Sequence, residues 1–390
     1  MKRFFSIPAQ LTAIILAVLL FGGMVPISFI QGCYTFSSIF KEFLGALLPF
    51  MVFFFVVTGI LSFRKNAPLV LGIMLSCIFV SNAFVALVSY VTMMLFGSQV
   101  VCDTAFTSLV IQAEPIHSLI SFSIPLPFNG IHALIAALVV GIVCSFVSVP
   151  WLERFFLFGK KWIEYCVSYF FIPLLPFYIL GFLLKIRAEG MFVCLLEQYG
   201  AAFMLIIALQ VLYLSWLYFI ASEFSIRAAW EAIKVAFPSY ITAFSTMSSA
   251  AAIPVSIKAA EENTGNRELA SVAMPIMANV HLLGDSIVTP ILAMVTMTVF
   301  LGVLPGFVQY LSFVFYFCMT MFAVSGIPGG GILVMIPILK SQLGFTGEMV
   351  NVIMTIYFLL DAFGTGANVM GDGALVMIVN KVLKRVGVTN

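Results

Sequence analysis

Charge is scarce in this chain: of 390 residues only 18 are Lys or Arg, 16 are Asp or Glu and 3 are His, so 9% are charged. Against 63% hydrophobic residues and a mean hydropathy of +1.17, that is too little polar surface to cover a water-soluble fold of this length, and a soluble enzyme or binding domain is excluded. The net charge of +2 comes without a basic cluster, which argues against a nucleic-acid partner. The seven Cys are scattered with no Cys-x-x-Cys, so neither a disulfide framework nor a zinc site is indicated and packing is their ordinary use. A glycine-rich phosphate loop is also missing, so an ion gradient rather than ATP is the expected driving force. After Met1, Lys2 and Arg3 an apolar run follows without a persuasive small-residue cleavage site, and it reads as an uncleaved anchor.

What is abundant is long apolar sequence. Runs at about 11–31, 43–63, 68–96, 128–149, 166–185, 201–221, 271–303 and 349–380 are each able to cross a hydrocarbon core that a helix spans with about 20 residues. The expected class is therefore an all-α polytopic membrane protein with eight transmembrane helices. With the N-terminus in the cytoplasm, 14 basic residues, among them Arg64, Lys65, Arg154, Lys160, Lys161 and Lys381, fall on the inside, and only Lys41, Lys185, Arg187 and Lys340 fall outside. The positive-inside rule then places both termini in the cytoplasm of a plasma (inner) membrane protein. Trp151, Trp162, Trp216 and Trp230 lie near span ends or amphipathic loops, where anchoring is the ordinary role, and His117 and His132 read as interfacial.

Near the C-terminus, Asp361, Thr365, Asn368 and Asp372 punctuate an otherwise oily stretch. At about 100° per residue they fall within roughly 60° of one another on a helix, so they form one stripe. Ionised groups at membrane depth cost several kcal/mol and normally face a bundle interior or a wet cavity on a substrate or ion path.

Two further apolar segments do not read as spans. The stretches from Tyr240 to Lys258 and from Phe317 to Lys340 are interrupted by Ser248, Ser249 and Pro254 in the first and by Gly326, Pro328, Gly329, Gly330 and Gly331 in the second. Pro removes a backbone donor and Gly weakens a helix. Broken backbone at membrane depth survives only inside protein or beside a wet cavity. Both segments are therefore predicted to be re-entrant helical hairpins, each followed by a span with buried charge, as in transporters with repeated discontinuous elements. Small residues that merely allow close helix packing are the plain alternative for either tip alone.

At these residues the chain resembles the dicarboxylate/amino acid:cation symporter family, which includes archaeal aspartate transporters and mammalian excitatory amino-acid transporters. The matching features are the order of spans, the serine-rich first hairpin, the Gly-Ile-Pro-Gly second hairpin and the run from Asp361 to Asp372. The resemblance implies a glutamate-transporter-like elevator fold and a homotrimer among membrane lipids. Residues 1–222 would be mainly scaffold and trimerisation spans, with span 3 and part of span 6 moving with the core, and 223–390 would be the transport core. It further implies that Asp361 holds a substrate α-amino group, and that Asn368 and Ser249 receive the α-carboxylate. Thr365 and Ser248 would lie nearby, with Gly329, Gly330 and Gly331 closing over the substrate. Asp372 would serve a sodium site completed by main-chain oxygens near Met277, His281 and Asn368. No enzymatic cofactor is implied; the coupling ion is sodium, a proton or both.

Three departures from the family pattern bear on substrate and ion. The arginine that clamps an acidic substrate side chain in the family is Gly364 here, and without its guanidinium a buried acidic group would lack its partner. A neutral amino acid is the expected substrate, with an acidic amino acid or C4-dicarboxylate, or an uncoupled uniporter or channel-like relative, as alternatives. The family's Asn-Met-Asp-Gly-Thr run reads His281-Leu282-Leu283-Gly284-Asp285, so a second ion site loses its carboxylate at Leu283 and keeps Ser81 and Asn82 as a degenerate shell. His281 and Asp285, four residues apart, are expected on one helical face, either as a proton-carrying pair or as a static one. Met247 stands where many relatives carry a basic or polar residue. An intramembrane aspartyl protease is set aside, because neither a Gly-x-Gly-Asp nor a Tyr-Asp motif accompanies Gly284-Asp285 and Gly371-Asp372.

Overall fold

A computed structural model describes residues 7–62, 68–100, 116–120, 122–124, 130–146, 150–190, 192–322, 324 and 329–387. The described residues are helical apart from turns and short connections. In chain order the α-helices are α1 (Ile7–Phe21), α2 (Ile27–Ser62), α3 (Pro68–Val100), α4 (Gly130–Phe146), α5 (Pro150–Cys166), α6 (Ile172–Ala188) and α7 (Phe192–Ala221). These are followed by α8 (Ile226–Thr246), α9 (Ser249–Thr264), α10 (Arg267–Val280), α11 (Asp285–Leu301), α12 (Phe307–Met321), α13 (Gly330–Leu343) and α14 (Gly347–Val386).

Among the described residues, six stretches are long and apolar enough to cross a membrane: Ile27–Thr58, Gly72–Gln99, Pro150–Ala188, Leu196–Ala221, Arg267–Leu301 and Gly347–Val386. They coincide with six of the eight predicted crossings; the other two fall on α1 and α4. Several predicted boundaries need correction. The chain turns at Gly22–Pro26 rather than continuing to residue 31, and α2 then runs unbroken past Lys41 and Glu42, because nothing between Ile27 and Leu48 interrupts a helix. A π turn at Val167–Phe171 joins amphipathic α5 to α6, so the fifth crossing extends well before residue 166. Lys2, Arg3, Arg64, Lys65 and the tip residues Gly326 and Pro328 lie outside the described residues.

Helices α1, α2, α4, α5 and α6 pack mainly on one another. The second group is built on α14, which packs against α7, α8, α9, α10 and α11, with α3 laid on α11. Both predicted hairpin segments form antiparallel helix pairs, α8 with α9 and α12 with α13. The first turns at Met247, held at φ +51°, immediately before Ser248, whose hydroxyl caps α9 by accepting from Ala251 N at 3.3 Å. A serine N-cap satisfies one of the amide donors that a helix start leaves orphaned. In the second, α13 starts at Gly329 with φ +70°, and a Cβ there would overlap the Phe358 ring, so glycine is required on two grounds.

Close approach organises the second group. The buried face of α8 reads Ala229, Ala232, Ala236, Ser239 and Ala243, with spacings that alternate three and four. It meets α14 at Gly366, where a Cβ would come within 2.6 Å of Tyr240, and at Gly373, near the Tyr218 hydroxyl and Ala236. Small residues at helix interfaces let backbones approach where the hydrophobic effect gives little discrimination between protein and lipid. The span predicted at 271–303 is interrupted between α10 and α11, and Gly284 at this break lies so close to the Gly364 carbonyl that a Cβ has no room.

Candidate functional site

Helix α14 is unbroken from Gly347 to Val386, and Asp361, Thr365, Asn368 and Asp372 are all buried on it. The predicted stripe therefore exists. Its two ends do different things, since Asp361 and Asp372 are ~16 Å apart along the axis at 1.5 Å per residue.

At the N-terminal end lies a small polar cavity where the first hairpin, the break in α10–α11, the second hairpin and α14 meet. Ser249 lines it from α9, Leu282 and Asp285 from the break, Gly331 from α13, and Asp361, Thr365 and Asn368 from α14. Asp361 accepts from Gly329 N at 2.8 Å, which ties the start of α13 to α14, and Thr365 Oγ1 donates to its other oxygen at 3.3 Å. Ser249, Gly331, Asp361, Thr365 and Asn368, named from the sequence as substrate-binding, all line this one cavity. Ser248 serves as the cap of α9, Gly329 as the donor to Asp361, and Gly330 as the first residue of α13.

Asn368 is more committed than expected. Its carbonyl oxygen accepts from Gly284 N at 2.7 Å and Asp285 N at 3.2 Å, capping the N-terminus of α11 from another helix, and its amide donates to Asp285 Oδ2 at 2.8 Å. Tyr357 O–H donates to Asp285 Oδ1. Tyr357 was not among the sequence candidates, although it lies one turn before Asp361 on the same stripe and extending the stripe by four residues finds it.

The expected His281–Asp285 pair does not form. The helix breaks between them, so the four-residue spacing no longer places them on one face, and each bonds elsewhere. His281 Nδ1 meets Asp372 Oδ1 at 2.9 Å and its Nε2 meets Ser81 Oγ at 3.0 Å, with His281 and Asp372 fully buried and Ser81 largely so. Asn82 donates to Val280 O at 3.0 Å, and its own carbonyl oxygen, like Asp372 Oδ2, is buried without a hydrogen-bond partner. Leu283 packs against Gly371 on α14, with His281 beside it. The Met277 carbonyl, expected to face a cation, accepts the capping bond of His281 N at 2.8 Å. Ser81, Asn82, His281 and Asp372 thus form one polar cluster between α3, the break and α14. A carboxylate oxygen lacking a donor in such a cluster has the chemistry to take a hard cation or a proton.

A second groove, lined mainly by apolar side chains from α1, α6, α7 and α14, including Ile15, Phe182, Phe203 and Leu359, lies elsewhere. It lacks convergent polar groups, so it is not where a zwitterion would be held.

Excitatory amino acid transporter 3 of Mus musculus is 30% identical over 150 residues, covering 37% of this chain and 28% of that protein. Excitatory amino acid transporter 1 of Homo sapiens is 27% identical over 167 residues, covering 42% of this chain and 29% of that protein. An excitatory amino acid transporter of Caenorhabditis elegans is 27% identical over 137 residues, covering 35% of this chain and 27% of that protein. The matches thus span under a third of each relative's length. The family model described as the sodium:dicarboxylate symporter family matches residues 7–382. The chain therefore belongs to the sodium:dicarboxylate symporter family.

Proposed function

We propose that this chain is a secondary active symporter that imports a neutral amino acid, coupled to sodium, protons or both, and works as an elevator within a homotrimer in the plasma membrane. Its family is one of transporters, not enzymes. The observation that carries the substrate class is the buried Asp361 carboxylate in a cavity between two hairpins, lined also by Ser249 at a helix N-terminus. A buried carboxylate pairs with an ammonium, and a helix N-terminus with a carboxylate, so together they fit an α-amino acid. Among the described residues no basic side chain lines the cavity, which disfavours an acidic side chain. An acidic amino acid or dicarboxylate remains the second reading, supported by the family description.

The cation role falls to Asp372 and its cluster with His281, Ser81 and Asn82. Residues 1–222, with the exceptions of span 3 and part of span 6, would be the static part and 223–390 the moving part. Uptake of labelled amino acids by purified protein in liposomes, under separately imposed sodium and proton gradients, tests the reading. Neutral substrates driven by either gradient support it; accumulation of only aspartate, glutamate or dicarboxylates contradicts it. In the same assay Asp372→Asn should raise the half-saturating sodium concentration about tenfold or more, the loss of one charged ligand from a hard-cation site. An unchanged sodium response removes Asp372 from the ion path.

A further inference from the structure

The function above leaves Asp285 without a task, although it lines the same cavity as Asp361 and is buried. We propose that Asp285 is the specificity residue of this site, and that it selects an amino acid whose side chain ends in a hydrogen-bond donor, a hydroxyl, carboxamide or ammonium group. This rests on the reading of the cavity as an amino-acid site.

Three observations converge. First, the Asp285 carboxylate is held in place by Tyr357 O–H on one oxygen and Asn368 Nδ2 on the other. A carboxylate offers about four acceptor positions, so two donors orient it without saturating it. Second, glycines flank it: a Cβ on Gly364 would lie 3.8 Å from Asp285 Oδ1, in ordinary contact, and one on Gly331 would lie 3.0 Å from it. Beside Tyr357 and Val288, the nearest neighbours of the carboxylate are therefore glycines without side chains, and Asp285 itself lines the cavity. Third, Asp285 and Asp361 are two carboxylates in one cavity with no basic side chain among its lining residues. The α-ammonium answers one of them. An apolar substrate side chain would cover Asp285 and leave its remaining acceptor positions dry, which is costly, and an acidic one would add a like charge. A donor answers it directly.

The test is binding to the purified full-length protein, by calorimetry, of near-isosteric pairs: threonine against valine and asparagine against leucine, with 2,4-diaminobutyrate as the cationic probe. The donor-bearing member should bind at least about tenfold more tightly, as in sites built to hydrogen-bond a substrate group. The order among the hydroxyl, carboxamide and ammonium probes identifies which donor is preferred. In Asp285→Val the threonine–valine difference should shrink to about twofold, and in Asp285→Asn any preference for diaminobutyrate over asparagine should disappear. Because the wild-type pairs need no variant, a misfolded mutant does not remove the test. Equal binding within both pairs, or a preference undiminished in Asp285→Val, overturns the proposal while leaving the amino-acid site standing. Absence of binding by any free amino acid overturns both.

Discussion

Asp361 ties the second hairpin to α14 through a single carboxylate, since it accepts from Gly329 N and, within α14, from Thr365 Oγ1. Replacing it with Asn keeps the shape and removes the charge. Charged hydrogen bonds contribute about 1.5–3 kcal/mol, so Asp361→Asn should weaken amino-acid binding between about ten- and a hundredfold, with the oligomeric state unchanged on gel filtration. Undiminished affinity in a calorimetric titration would remove the α-amino role. Gly364 poses the opposite problem. An arginine there would reach toward Asp285, which is 3.8 Å from where its Cβ would begin, and the two would pair internally. Gly364→Arg alone should therefore gain little affinity for aspartate, whereas Gly364→Arg with Asp285→Thr should gain at least about tenfold by freeing the guanidinium. Equal aspartate affinity in the single and double variants would count against this pairing. The stripe that contains Asp361 was legible in the sequence because α14 keeps one period for 40 residues. The partner of His281 was not, because its spacing to Asp285 has meaning only on a continuous helix, and the chain breaks between them.

Hairpins and breaks carry the site at the level of elements. The tips were legible as clusters of Ser, Gly and Pro, since those residues cap or interrupt helices for local reasons. The length of α2 was not, because Lys41 and Glu42 mark a polar point in hydropathy without disturbing helix geometry. Nor was the use of the α10–α11 break, where the orphan amides at Gly284 and Asp285 find an acceptor in Asn368, 84 and 83 residues away in sequence. Gly329 is the element-scale position most open to test. Its left-handed backbone costs a residue with a Cβ about 1–2 kcal/mol, and the Phe358 ring occupies the space that Cβ would take. Gly329→Ala should displace the start of α13, lower the thermal unfolding temperature and reduce affinity for amino acids through loss of the bond to Asp361. If both quantities match the unmodified protein, the close packing of α13 on Phe358 is not required.

The whole molecule has two groups of helices with an apolar groove between parts of them. Ile15 and Phe182 come from the α1–α6 side, while Phe203 and Leu359 come from the α7–α14 side. Apolar surface on both walls gives no directional bonds that would have to break when one side slides past the other, in contrast to the dense hydrogen bonding around Asp361 and Asp372. On the proposed elevator reading, the polar core would be displaced across this seam, and the polar cavity should travel with α14 as a unit. Gly200 lies on this groove, exposed, with no atom within 4 Å of where a Cβ would stand. Gly200→Leu can therefore be accommodated in one position of the seam, adding apolar contact there that must be lost on sliding. The side chain is worth up to about 2 kcal/mol of apolar burial, so uptake in liposomes should slow by up to about tenfold, while the affinity for substrate changes by less than about twofold. A parallel fall in affinity would place the groove in the binding reaction rather than in translocation, and an unaltered rate would mean that the two groups do not move against each other along this surface.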